Sequence, residues 1–105
     1  MPLILKKSKR KDKKYVVKDG TRTVHFGDDR YRDFTLMNDR NSKYYEANPN
    51  ERQRIKENYR RRHKGDNLEN PFSAGALSYF LLWNRPSLKQ SIKDYENKFN
   101  IKIKV

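Results

Sequence analysis

The chain has 105 residues, 33% of them hydrophobic, and a mean hydropathy of -1.28, which bounds it to one domain with a modest core and excludes a deep, enclosed active site. Its 26 Lys and Arg against 13 Asp and Glu leave a formal charge of +13, beyond what solubility requires, so a partner is implied: nucleic acid first, then an acidic protein surface or an anionic membrane. The absence of cysteine excludes disulfides and cysteine-ligated zinc, and no apolar run reaches the ~18 residues of a membrane span or the core of a secretion signal, so a soluble, unsecreted chain is expected.

Residues 1–14 read as an extended basic arm. Lys6, Lys7, Lys9, Arg10, Lys11, Lys13 and Lys14 stand there against Asp12 alone, a density of one sign that keeps a segment unfolded until a partner neutralises it. Residues 15–105 read as a single small α+β domain. It opens on two β-rich runs, 15–18 and 21–26, around Asp19-Gly20, a pair that supplies the positive φ angles of a tight hairpin. Gly27 closes the hairpin. The polar stretch 28–48, with Tyr31, Phe34, Leu36 and Met37 spaced through it, is expected to be an irregular loop pinned to the core by its aromatics.

After Pro49 and Asn50 comes a run of helix formers, 51–64, with Gly65 just past its end. Its apolar stripe is only Ile55 and Tyr59, so Arg52, Arg54, Lys56, Arg60, Arg61, Arg62 and Lys64 are expected to face solvent or a partner. Cations in the last turn complement the helix dipole, but 60–64 holds more of them than that needs. The segment 71–83 is apolar nearly all round and reads as the central buried helix, with Gly75 as a close-packing point rather than part of a phosphate loop. Ser87 and Gln90 have capping-box spacing, and Leu88, Ile92, Tyr95 and Phe99 form the amphipathic stripe of a last helix. Residues 101–105 alternate apolar and basic, the pattern of a short strand added to the hairpin as a third. The expected fold is therefore a β-hairpin plus a short C-terminal strand, packed with about three helices.

Catalysis needs convergent groups of perturbed acidity, and the sequence holds no nucleophile beside a base and no recognisable metal set. His25 falls in a strand and His63 at the end of the basic helix; two histidines without cysteine do not make a zinc site. Asp28 with Asp29, or Asp39 with Glu46, lack the regular spacing of a calcium loop and read as salt-bridge partners. No enzyme activity, cofactor, metal or small-molecule substrate is expected. The chemistry lies in the two basic blocks, 6–14 and 52–64: arginine forks suit bidentate contacts to phosphate or carboxylate, and lysines suit an electrostatic tether. Without a helix-turn-helix, zinc finger or ribonucleoprotein motif, nucleic-acid binding would follow the backbone and tolerate any sequence.

The ordered series Thr23-Val24-His25-Phe26-Gly27, Tyr31-Arg32-Asp33-Phe34-Thr35, Tyr59-Arg60-Arg61-Arg62-His63-Lys64, Ala74-Gly75, Leu81-Leu82-Trp83-Asn84 and Pro86-Ser87-Leu88-Lys89-Gln90-Ser91-Ile92 resembles a small uncharacterised family of basic proteins encoded by nucleocytoplasmic large double-stranded DNA viruses. The resemblance runs from about Lys14 to the C-terminus and leaves the arm outside. A longer stretch between Thr35 and Tyr59 departs from the family pattern and marks that loop for lineage-specific contacts. The family brings no known catalytic residues. It implies a setting, the virion or the viral factory in host cytoplasm or nucleus, and there two jobs: a minor capsid or other virion-associated structural protein binding acidic neighbours, or a protein that binds and packages viral DNA. An arm able to thread along neighbouring subunits and interface-type Tyr, Trp and Arg favour the first; the overall charge favours the second. The virion structural role is the expected one, with DNA binding and packaging as the alternative.

Overall fold

In a computed structural model, which describes residues 2–105, the chain begins with a strand rather than a free arm. Leu3 and Leu5, two residues apart, fall on one side of strand β1 (Leu3–Lys7) and are almost completely buried, while Ile4 and Lys6 fall on the other. A turn through residues 8–12 leads to β2 (Lys13–Lys18), closed by bonds from Ser8 N–H to Lys14 O (3.0 Å) and from Lys13 N–H to Arg10 O (3.2 Å). Asp12 takes the left-handed conformation there (φ 65°), which Asp tolerates better than most residues. The expected disordered arm is thus half of a second hairpin. Two leucines at strand period outweigh the local charge once Val17 and Ile103 lie alongside to receive them.

The expected hairpin follows: β2 pairs antiparallel with β3 (Thr23–Asp28) across a turn at 19–22, with Gly20 at φ 91°. Gly27 lies within β3 rather than after it, at φ 78°, and a Cβ there would come within 2.7 Å of Leu82 Cδ1. The C-terminal strand, β4 (Ile103–Lys104), does not extend that hairpin. It pairs parallel to β1, anchored by Leu3 N–H to Lys102 O at 2.8 Å, giving a mixed sheet in the order β3-β2-β1-β4. Sequence alternation placed it correctly as a strand but could not say which edge was free.

All the helices pack on one face of this sheet, as the α+β reading requires. Within the expected loop 28–48, residues Phe34–Asn38 form a short helix, α1, because Asp33 caps it: its Oδ1 accepts the Leu36 N–H at 2.8 Å. Phe34 and Met37 point from α1 into the core. Helix α2 (Pro49–His63) starts at an Asn48 cap with Pro49 in its first turn and buries Ile55. Helix α3 (Ala74–Leu77) runs on as a π-helical turn (Ser78–Leu82), placing Leu77, Leu81 and Leu82 in the core. Gly75 is the close-packing point expected of it, with Asp66 Cβ 3.3 Å from where its own Cβ would lie. Ser87 caps α4 (Leu88–Phe99), which buries Tyr95 against the rest and ends on Asn100 in the left-handed conformation. Among the described residues no helix is long and apolar enough to cross a membrane.

Two outcomes check this arrangement. Leu5→Ala is expected to lower unfolding stability by about 2–5 kcal/mol in urea titrations, where a substitution in a solvated arm would change nothing. Gly27→Ala is expected to cost more than about 1 kcal/mol, from a strained φ and the collision with Leu82.

Candidate functional site

The basic residues separate into those the fold uses and those it leaves free. Lys14 belongs to the first group: its Nζ donates to Asp33 Oδ2 at 2.7 Å, and Asp33 is 1% exposed. Arg60 likewise donates from Nη1 to Trp83 O (3.0 Å) and lies 4.0 Å over the Tyr79 ring, closing the open carbonyls at the end of the π-helical turn. Arg52 donates to Glu46 O at 2.6 Å, Arg54 forks onto Glu51, and Arg61 bonds Asn58. Lys56 lies over the Phe34 ring at 4.7 Å; burial, then the charges of Arg60 and Arg85, pull its pKa down. Lys13 faces Asp28 across the β2–β3 ladder.

The second group sits mainly on the sheet face that no helix covers. Two cross-strand rows define it: Lys104, Ile4, Lys18 and Thr23 in one, Lys6, Val16 and His25 in the other. The register therefore brings Lys18 and Lys104, neither in the two sequence blocks, beside Lys6 of the first block. Ile4, Lys6, Lys7, Lys9, Val16, Lys18, Thr23 and His25 line a shallow concavity of about 380 Å³ that holds no carboxylate. Val16 is buried yet outside the main core cluster, covered from this side by the aliphatic stems around it. The His25 ring is fixed by a 2.7 Å hydrogen bond between its Nδ1 and Ser8 Oγ. Among the described residues, Lys6, Lys7, Lys9, Arg10, Lys11 and Lys18 enter no ion pair.

A second basic surface surrounds a groove of about 660 Å³ between the β3–α1 loop and α2. Its floor is Ile55, Tyr59, Leu82 and Trp83; its rims carry Tyr31 and Arg32 on the loop and Arg62 and His63 on the helix. Tyr59 is stacked between Trp83 (centroids 4.1 Å apart, planes 7° apart) and His63 (4.1 Å, 24°), a column set by the i, i+4 spacing on α2. His63 Nδ1 is in turn 2.9 Å from Asp66 Oδ2. The loop is braced by Arg30, whose fork onto Asp28 holds that carboxyl down at about 2. Lys64 lies exposed beyond the last turn of α2.

Sequence reasoning missed Lys18, Lys104, Tyr31 and Arg32. Lys18 and Lys104 join the Lys6 face only through pairing with β1, and the rim of the groove depends on loop packing, so neither leaves a signal in spacing along the chain. Among the described residues no group of three or more His, Asp and Glu comes together as a metal site. No family model, curated protein or solved structure matches the chain.

Burial in the aromatic column, with Asp66 adding to it and Arg62 opposing, pushes the Tyr59 hydroxyl from 10.0 up to about 12. A raised phenol pKa means the unfolded chain ionises first, so the stability that Tyr59 contributes is complete below pH 10.0 and declines as pH climbs toward about 12. Tyr59→Phe keeps the stack and is expected to flatten part of that alkaline decline in thermal melts; an unchanged profile would show that Tyr59 ionises freely.

Proposed function

We propose that this chain is a non-enzymatic protein that binds the phosphate backbone of nucleic acid without reading its sequence. The observation that supports it is the open sheet face: unpaired lysines from β1, β2 and the turn between them line a shallow concavity with no carboxylate among them, and Lys104 of β4 lies on the same face. Such a surface is complementary to a row of phosphates, and its shallowness suits a backbone rather than a small molecule. The free Arg62 and Lys64 add positive field on a separate surface, so the protein presents polyanion-binding groups on more than one side. In the setting that the motif resemblance implies, it would coat or package a viral genome in the virion or the factory.

A second reading, a minor capsid or virion-associated structural protein seated against acidic neighbours, draws on the exposed Tyr31 and Ile4, apolar contacts of the kind interfaces use. It was favoured by an arm free to thread between subunits. With Leu3–Lys7 built into the sheet that support falls away, and the charge distribution favours nucleic acid.

Fluorescence anisotropy with random-sequence duplex DNA over a salt series tests this. Engagement of about five phosphates predicts a log-log salt slope of about -4.5, or roughly a 500-fold affinity loss between about 50 and 200 mM salt. The triple variant Lys6→Glu, Lys9→Glu, Lys18→Glu, at exposed positions where the fold tolerates it, is expected to weaken binding strongly and flatten that slope. Weak, salt-insensitive binding by the unaltered protein would reject the genome reading and direct the search to acidic capsid proteins.

A further inference from the structure

The geometry points to the groove at Trp83 as a subsite for one unstacked nucleobase of a single-stranded segment, with its flanking phosphates on Arg32 and Arg62. The inference rests on the nucleic-acid reading above and adds a preference for single strands, which the sheet face by itself does not provide.

Three features of the groove carry it. First, the floor and rims are rich in flat rings: the Trp83–Tyr59–His63 column has near-parallel planes, and Tyr31 stands at the opposite rim with 66% of its surface exposed. An exposed tyrosine lining the same open groove as an aromatic column offers stacking to any base, since every base has a π-face. Second, the two arginines on opposite rims are uncommitted. Arg30 and Arg54 fork onto carboxylates and Arg85 Nε donates to Asp94 Oδ2, whereas neither Arg32 nor Arg62 makes an ion pair or side-chain hydrogen bond among the described residues. Third, the carboxylate that lines the groove, Asp28, is neutralised by Arg30, so an anionic ligand meets little repulsion. The volume of about 660 Å³ is within the range that encloses a nucleotide-sized group. A paired duplex keeps its bases stacked inside and cannot place one here, whereas a flexible single strand does so at small cost.

Trp83 is the one tryptophan of the chain, so its emission reports on this groove directly. The full-length protein is titrated with an oligothymidylate of about 12 nucleotides, with a duplex of equal length, and with thymidine monophosphate, all at about 50 mM salt. The oligothymidylate is expected to quench Trp83 and to bind at least about 10-fold tighter than the duplex. Tyr31→Ala, at an exposed position, is expected to lower single-strand affinity about 10-fold and leave duplex binding unchanged. Arg32→Ala with Arg62→Ala is expected to reduce the single-strand salt slope by about 1.4.

Unchanged emission with a neutral Tyr31→Ala, while duplex still binds through the sheet face, overturns the subsite and leaves the nucleic-acid reading standing. Failure of both polymers to bind overturns that reading as well. Equal quenching by thymidine monophosphate at the same concentration would make the groove a free-nucleotide site, and quenching by a glutamate-tyrosine copolymer but not by oligothymidylate would assign it to an acidic protein; either overturns the proposal.

Discussion

The Asp33 carboxylate divides its two oxygens between elements that are distant in sequence. Oδ2 takes the Lys14 ammonium from β2, and Oδ1 takes the Leu36 N–H at the start of α1. Both contacts are charge-assisted and the ion pair is nearly dry, so removing the Lys14 ammonium would strand the buried Asp33 charge, a loss of the order of 3–5 kcal/mol. The pair therefore locates α1 against the sheet, and α1 in turn supports α2 through Phe34 and Met37. A lysine that reads as one more charge in a basic run is in fact a structural residue.

The sheet has two faces, and the chain has apolar side chains to cover one. Leu3, Leu5, Val17 and Phe26 meet Leu77, Leu81, Leu82 and Tyr95 on the helical side. On the other side Val16 and Ile4 are the apolar residues among lysines, too few to bind a further layer and enough to be covered by lysine stems. An antiparallel ladder tolerates such a solvated face. Charges held at strand spacing on a rigid sheet are also pre-positioned, so less side-chain and backbone entropy is lost on meeting a polyanion than in a disordered arm. On the proposed nucleic-acid reading, the order of the first segment would itself serve binding.

Committed and free cations behave differently toward a ligand. Lys14, Arg52, Arg54 and Arg60 already have oxygen partners, and a phosphate would have to displace them. Lys6, Lys9, Lys18, Arg32 and Arg62 have nothing to give up but water and counterions, the exchange from which backbone binding draws its free energy. A formal charge of +13 overstates the cations left uncommitted by the fold. What remains is nonetheless concentrated on two surfaces, of which one is flat and lysine-rich and the other concave, aromatic and arginine-edged.

Short-range patterns were legible in the sequence wherever neighbours along the chain settle the structure. The Asp19-Gly20 hairpin, the Ser87 cap and the Leu88–Ile92–Tyr95–Phe99 stripe each depend on spacing of a few residues and each is where its spacing places it, while the helix expected over 51–64 begins two residues earlier, at Pro49. The basic character of the protein is likewise a property of composition. What only the tertiary structure decided are the non-local pairings. Leu3 and Leu5 become a strand because Val17 and Ile103 lie beside them; Ile103 joins β1 because β1 is there to be joined. Lys6, Lys18 and Lys104 share a face because the register aligns them. Which cations are free is settled the same way, by oxygens brought near from distant segments, as Asp33 is to Lys14 and the Trp83 carbonyl to Arg60. Spacing along the chain carries local geometry, whereas the closeness of two charges depends on contacts that exist only after the chain has folded.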